Sequence, residues 1–222
     1  AVKGRGVVVY SLSTGQVLHT FDESSPKEVV DLLLSSKENL LVRATKDGEI
    51  SSWELGEGIP KQRLLCGEDI KKISLSDDDK WIGIVSKNRR VEVFGLTGSK
   101  GGVLVQNNPE MLLFLPEGKA VLITSGSSFE MLTVPALQRL GTVHGHTAQI
   151  LKAVNLSPHY LLTVAHDKTL RLWDWKHDFV CTRTFPIIKE TPLSFDISAD
   201  MRLLLTAEQW STLRIYDLTT DK

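Results

Sequence analysis

The strongest constraint on this chain is a repeat. Six short apolar segments recur along it, each with a large residue at the same place: Val7–Leu12, Ile50–Leu55, Val91–Leu96, Phe129–Val134, Leu170–Trp175 and Leu213–Leu218. The marked positions are Tyr10, Trp53, Phe94, Leu132, Trp173 and Tyr216, separated by 43, 41, 38, 41 and 43 residues. A second feature keeps the same phase. About thirteen residues before each of the last five marks, a polar turn rich in Ser, Asp, Pro, Gly and Asn separates two apolar strands. These turns are Ser35–Asn39, Ser76–Lys80, Pro116–Lys119, Ser157–His159 and Ser198–Arg202. Two features locked to one period say more than either alone.

The period predicts an all-β fold. A spacing of about 40–45 residues is that of a four-stranded propeller blade. In each repeat an inner strand a and a strand b meet at the polar turn. Strand c carries the marked residue, and strand d follows a second turn, such as Ser13–Gln16 before Val17–Phe21. Helices fit poorly, because the apolar runs are short, turn-bounded and rich in Val, Ile, Leu and Thr. Lys27–Leu34 could form one short helix, but the period predicts a strand there.

Composition narrows the function classes. Formal net charge is −1, so no overall field draws the chain to nucleic acid or an anionic membrane. No apolar run approaches the roughly 20 residues of a membrane span. Residues Ala1–Gly6 lack the apolar core of a signal peptide. The two cysteines, Cys66 and Cys181, lie far apart in apolar surroundings, as reduced thiols of a cytosolic or nuclear protein do. No metal or other cofactor and no small-molecule substrate is expected.

The fifth repeat resembles the WD40 family closely. It carries Gly145-His146, then Ser157-Pro158, then Thr163 through Asp167-Lys168 to Trp173-Asp174, with 27 residues from His146 to Trp173. The resemblance implies a buried relay of His146, Thr163, Asp167 and Trp173. Asp167, in the tight b–c turn, accepts from the His146 ring. The ring passes its other proton to the Thr163 hydroxyl, which reaches the Trp173 indole N–H. Such a network fixes one packing because each buried polar group must find a partner. The other repeats depart from the motif. The second keeps Asp47 and Trp53 but has Arg43 at the hydroxyl's place. The third has Asn88 and Phe94, the fourth Gly126 and Leu132, and the sixth Trp210 at the turn and Tyr216-Asp217.

The fold class implied is therefore a β-propeller of four-stranded antiparallel WD40-type blades. The blades divide as 1–21 (strands c and d), 22–65, 66–105, 106–143, 144–185 and 186–222 (strands a to c), about five blades' worth of strands. Propellers of this family close with about seven blades. The chain thus reads as part of a larger ring in a longer, multi-domain regulatory protein. The alternative is a nearly closed five-bladed ring in which the two part-blades pair.

The family resemblance also implies a docking face, where the b–c and d–a loops emerge. The residue before the turn Asp projects there: Lys3, Lys46, Lys87, Ser125, His166 and Gln209. With Arg5, Arg43, Arg89 and Arg90, the first three would make one arc basic and suited to an acidic segment. Trp210 is a further candidate contact. Lys46, Lys87, Arg89, His166 and Trp210 are the candidate partner-binding residues.

Other chemistry finds little in the sequence. His144, His146, His159 and His166 lack a Cys or carboxylate that would complete a zinc set. Asp77-Asp78-Asp79 falls in an a–b turn, where a solvated polar loop is expected. No nucleophile elbow, phosphate loop or His-Glu-x-x-His is present. The reading is a non-catalytic scaffold, cytoplasmic or nuclear, binding other proteins or domains of its own parent chain. Its rivals are a subunit of an RNA- or ribosome-associated complex and a propeller-scaffold hydrolase. Direct nucleic-acid contact is disfavoured by the charge and by the lack of an aromatic stacking ladder.

Overall fold

The structure, a computed structural model, describes residues 7–21, 27–35, 40–56, 60–66, 69–106, 108–156, 158–185, 192–198, 200, 202–208 and 212–219. Among these residues every regular element is a strand, and none forms a helix long and apolar enough to cross a membrane. A two-stranded sheet comes first, β1 (Val7–Tyr10) and β2 (Val17–Phe21). Next are β3 (Val29–Leu34), β4 (Leu40–Thr45), β5 (Glu49–Glu54) and β6 (Pro60–Leu65), hydrogen-bonded in that order. The third sheet is β7 (Ile70–Leu75), β8 (Trp81–Ser86), β9 (Arg90–Gly95) and β10 (Lys100–Val105). The fourth is β11 (Met111–Phe114), β12 (Ala120–Ser125), β13 (Ser128–Thr133) and β14 (Arg139–Val143). The fifth is β15 (Ile150–Asn155), β16 (Tyr160–Ala165), β17 (Leu170–Asp174) and β18 (Val180–Phe185). The last has three strands, β19 (Pro192–Ile197), β20 (Leu203–Glu208) and β21 (Thr212–Asp217). Residues 29–34, the one stretch where a helix competed, form strand β3.

The chain divides into two compact units, Ala1–Ile123 with Met131–Leu140 and Thr124–Glu130 with Gly141–Lys222. In the first, the inner strand β7 packs between β3 and β11. Sheet faces meet through Leu40, Val42, Ile50, Ile73, Ile82 and Ile84, then through Val85, Val91, Val93, Leu112, Phe114 and Val121. In the second unit Leu162, Val164, Leu170, Phe195 and Leu204 form the core. Each Leu or Ile so buried contributes about 1.5–3 kcal/mol.

Burial explains the strand compositions. The b strands β4, β8 and β16 are covered on both faces and read as nearly continuous apolar runs. The outer strand β18 alternates exposed and half-buried residues, because one face and one edge meet solvent. Glycines let neighbouring sheets approach. Gly102 N donates to Pro135 O at 2.6 Å, and a Cβ on Gly102 would lie 2.6 Å from Ala136 O.

The polar turn of the third sheet differs from the solvated loop expected. Asp77 is exposed, but Asp79 is buried and Asp78 half-buried. Asp79 accepts a hydrogen bond from the Ser35 hydroxyl, and Asp78 accepts from the Ser76 hydroxyl at 2.7 Å and from Lys80 N at 3.2 Å. These carboxylates therefore complete the turn rather than face water. The b–c hairpins have a left-handed position, filled by Gly48 (φ 88°), Arg89 (φ 69°) and Lys168 (φ 63°). A side chain there costs about 1–2 kcal/mol, and glycine returns part of the gain as entropy. Arg89→Gly is accordingly expected to stabilise the chain by about 0.5–1 kcal/mol in urea unfolding. A loss of stability would show that the Arg89 side chain makes a contact worth more than the strain.

Candidate functional site

Two sites on the loop ends can be built from the residues upward. The first is the buried relay of the fifth sheet. His146 sits in the loop before β15, Thr163 on β16, Asp167 in the β16–β17 turn and Trp173 on β17. His146 Nδ1 lies 2.8 Å from Asp167 Oδ2, His146 Nε2 lies 2.7 Å from Thr163 Oγ1, and Trp173 Nε1 donates to Thr163 Oγ1 at 2.8 Å. Asp167 also accepts from Thr147 N, Thr169 N and the Thr169 hydroxyl, at 3.0, 3.0 and 2.7 Å. Burial raises its pKa, but the Thr169 hydroxyl, the Thr147 N–H and His146 outweigh that and hold it at about 2. Gly145 is required by the same packing, since a Cβ on it would lie 2.5 Å from Trp173 Cη2.

The direction of the relay corrects the sequence reading. Burial pushes the His146 pKa below its ordinary value, against the pull of Asp167, so the ring is neutral near pH 7. A neutral imidazole has one N–H. Asp167 can only accept, so that proton is on Nδ1, an assignment made from the surrounding donors and acceptors. Nε2 is then an acceptor, and Thr163 donates to it while accepting from Trp173. The proton order runs from Trp173 through Thr163 to His146, and the ring gives Thr163 nothing.

The second site is an open depression of about 420 Å³ in the first unit, lined by Lys27, Glu28, Lys46, Asp47 and Asp69. Lys46 Nζ lies 3.0 Å from Glu28 Oε2, and Lys87 Nζ lies 3.4 Å from Asp69 Oδ2. Glu28 raises the Lys46 pKa, with a smaller contribution from Asp69. The exposed row is thus an alternation of acid and base, Glu28, Lys46, Asp69 and Lys87, and not the bare basic arc expected. Its other members also diverge from expectation. Arg43 is 2% exposed and pairs with buried Glu49 at 3.2 Å, so it is a core residue and not a rim cation. Arg90 pairs with Glu92 at 2.9 Å. Arg89 and His166 are exposed, and His166 N donates to Gln149 O at 2.8 Å. Trp210, Lys3, Arg5 and Gln209 lie outside the described residues.

Sequence reasoning missed Lys27 and Glu49. Lys27 precedes Trp53 by 26 residues, nearly the His146–Trp173 spacing, which is the one signal that could have found it. Among the described residues no group of three or more His, Cys, Asp or Glu side chains is placed to hold a metal ion.

Residues 137–174, which hold His146, Thr163, Asp167 and Trp173, match the family WD domain, G-beta repeat. The chain therefore carries a WD40 repeat, and its period resembles that family along its length. Its six sheets, mostly of four strands, are consistent with WD40-type blades, and the matched residues span β14 to β17. The nuclear distribution protein nudF of Emericella nidulans is a similar protein, 26% identical over 168 residues. That similarity covers 64% of this chain and 38% of nudF, so the chain spans less than two-fifths of the relative's length.

Proposed function

We propose that this WD40 chain is a non-catalytic interaction platform. It docks partner proteins, or neighbouring domains of its parent, through the loop ends of its blades, in the cytoplasm or nucleus. WD40 repeats in general mediate protein–protein interaction, which supports a binding role. The observation that carries the reading is the row Glu28, Lys46, Asp69 and Lys87, the first three of which line the depression. These side chains are exposed, and Lys46 pairs with Glu28 and Lys87 with Asp69. Lys46 N and Lys87 N donate to Glu28 O and Asp69 O, each at 2.9 Å, which fixes the loops that carry them. Exposed ion pairs cost little to break, so a partner can exchange them for its own charges.

The test is quantitative affinity capture with the wild type and the Lys46→Glu/Lys87→Glu variant side by side. Bound partners are expected to fall about tenfold or more in the variant, with the thermal midpoint nearly unmoved. An unchanged set of partners, bound equally well, would reject this face as the docking surface.

A further inference from the structure

The second repeat has neither the relay's histidine nor its hydroxyl, yet its loop and hairpin are tied together. Lys27, in the loop before β3, places Nζ 2.8 Å from Asp47 Oδ2 and 2.6 Å from Glu49 Oε2. Asp47 is the turn residue that corresponds to Asp167, so Lys27 reaches the carboxylate that His146 reaches in the fifth repeat. Arg43 stands at the place of Thr163. Its guanidinium donates to Glu49 Oε1 at 3.2 Å and to Ser51 Oγ at 3.4 Å, and lies 5.2 Å from the centre of the Trp53 ring. Trp53 corresponds to Trp173, so an ion over the ring replaces the indole hydrogen bond. Arg63, on the outer strand β6, also donates to Glu49. Ser51 donates to Glu49 at 2.9 Å, and Thr45 to Asp47 at 2.6 Å.

The Glu49 carboxylate is fully buried, which would normally drive it neutral. Burial does raise its pKa, but Lys27, Arg63 and Ser51 outweigh burial and hold it at about 2. Its charge is therefore present throughout the neutral range. The three cations come from three different places: the d–a loop, strand b and strand d. Removing any of them unties a different segment from the same carboxylate.

We propose that Lys27, Arg43, Asp47, Glu49 and Arg63 form an ionic clamp that does in the second repeat what the His146 relay does in the fifth. It fixes the loop before β3 to the β4–β5 hairpin and both to β6. Because Glu28, Lys46 and Asp47 stand on those segments, the clamp also sets the wall of the depression. It does not depend on that depression having a partner. It makes this junction depend on ion pairs, where the fifth repeat depends on packing and on hydrogen bonds to the Asp167 carboxylate.

Amide hydrogen exchange resolved to single residues tests it on the whole chain. The reporters are the N–H groups of Lys46, Gly48 and Cys66, which donate to Glu28 O, Thr45 O and Gly48 O. The controls are the N–H groups of His166 and Lys168 in the fifth repeat. Lys27→Met removes the charge at a position that is not fully buried, so the fold survives. It is expected to speed exchange at the three reporters about tenfold and leave the controls within about twofold. Lys27→Arg restores the charge and keeps all five within about twofold of wild type. Glu49→Gln is expected to exceed Lys27→Met at the same reporters, by roughly another tenfold, because it leaves the cations without their shared counter-charge. Reporter rates unchanged in Lys27→Met, or equal losses in Lys27→Met and Lys27→Arg, would overturn the clamp. So would a rise shared equally by the controls.

Discussion

Trp173→Ala is expected to destabilise the C-terminal unit by about 3–5 kcal/mol, the range for emptying a buried aromatic site. The ring is 1% exposed and meets Phe129 edge-on, with centroids 5.8 Å apart at 85°. Its Cη2 also closes against Gly145, so truncation opens a cavity beneath the loop that carries His146. Trp173 lies opposite Leu161 on β16 and Cys181 on β18, and these hydrogen-bonded strands cannot collapse into the space without breaking register. The Thr163 hydroxyl loses its donor as well. Trp173→Phe separates the two contributions. It keeps most of the volume and removes the N–H, at about 1–2 kcal/mol. Urea unfolding followed by far-ultraviolet circular dichroism gives both values. A cost for Trp173→Ala no larger than that for Trp173→Phe would mean that packing around the ring contributes nothing.

Asp167→Ala is the second large effect, about 3 kcal/mol. The substitution removes the acceptor of four hydrogen bonds at once, from His146, Thr147 N, Thr169 N and the Thr169 hydroxyl. It also carries a pH signature whose sign can be worked out. The Asp167 pKa falls from 3.8 unfolded to about 2 folded, which corresponds to about 2 kcal/mol. That contribution is complete above pH 3.8 and is lost as pH falls towards 2. The His146 pKa is lowered from 6.5 by burial, so its neutral ring contributes above pH 6.5 and loses stability as pH falls through the folded value. The wild type is therefore expected to weaken in two stages on acidification. In Asp167→Ala the loss between pH 4 and 2 is expected to shrink, while the loss below pH 6.5 persists because the protonated ring has no counter-ion. Urea midpoints at a series of pH values would show this. An unchanged slope between pH 4 and 2 would mean that Asp167 does not carry the low-pH stability.

The loop-end face follows a different logic from these interior effects. Lys46 and Lys87 are exposed and ion-paired, so their replacement is expected to cost folding little, and on the proposed function it bears on binding. Trp173 and Asp167 are interior, so theirs bears on folding first. The two groups of variants thus separate loss of a partner from loss of the blade.

How much was legible in the sequence depended on whether the signal was periodic. The marks from Tyr10 to Tyr216 and the polar turns between them determined the all-β class and the four-strand unit, because alternation and turn chemistry are local and recur in phase. They also settled 29–34 as a strand against a helical alternative. The spacing in the fifth repeat named His146, Thr163, Asp167 and Trp173. The proton order among them needed the burial of His146, which no spacing carries. Only the tertiary structure decided that Arg43 lies in the core, that Asp79 completes a turn, and that the expected basic arc is an alternation of charges. It alone found Lys27 and Glu49 as the second repeat's substitute for the relay. The physical reason is the same in each case. A charged side chain looks alike in sequence whether it meets water or a buried counter-ion, and its partner is chosen by contacts between segments that the fold brings together.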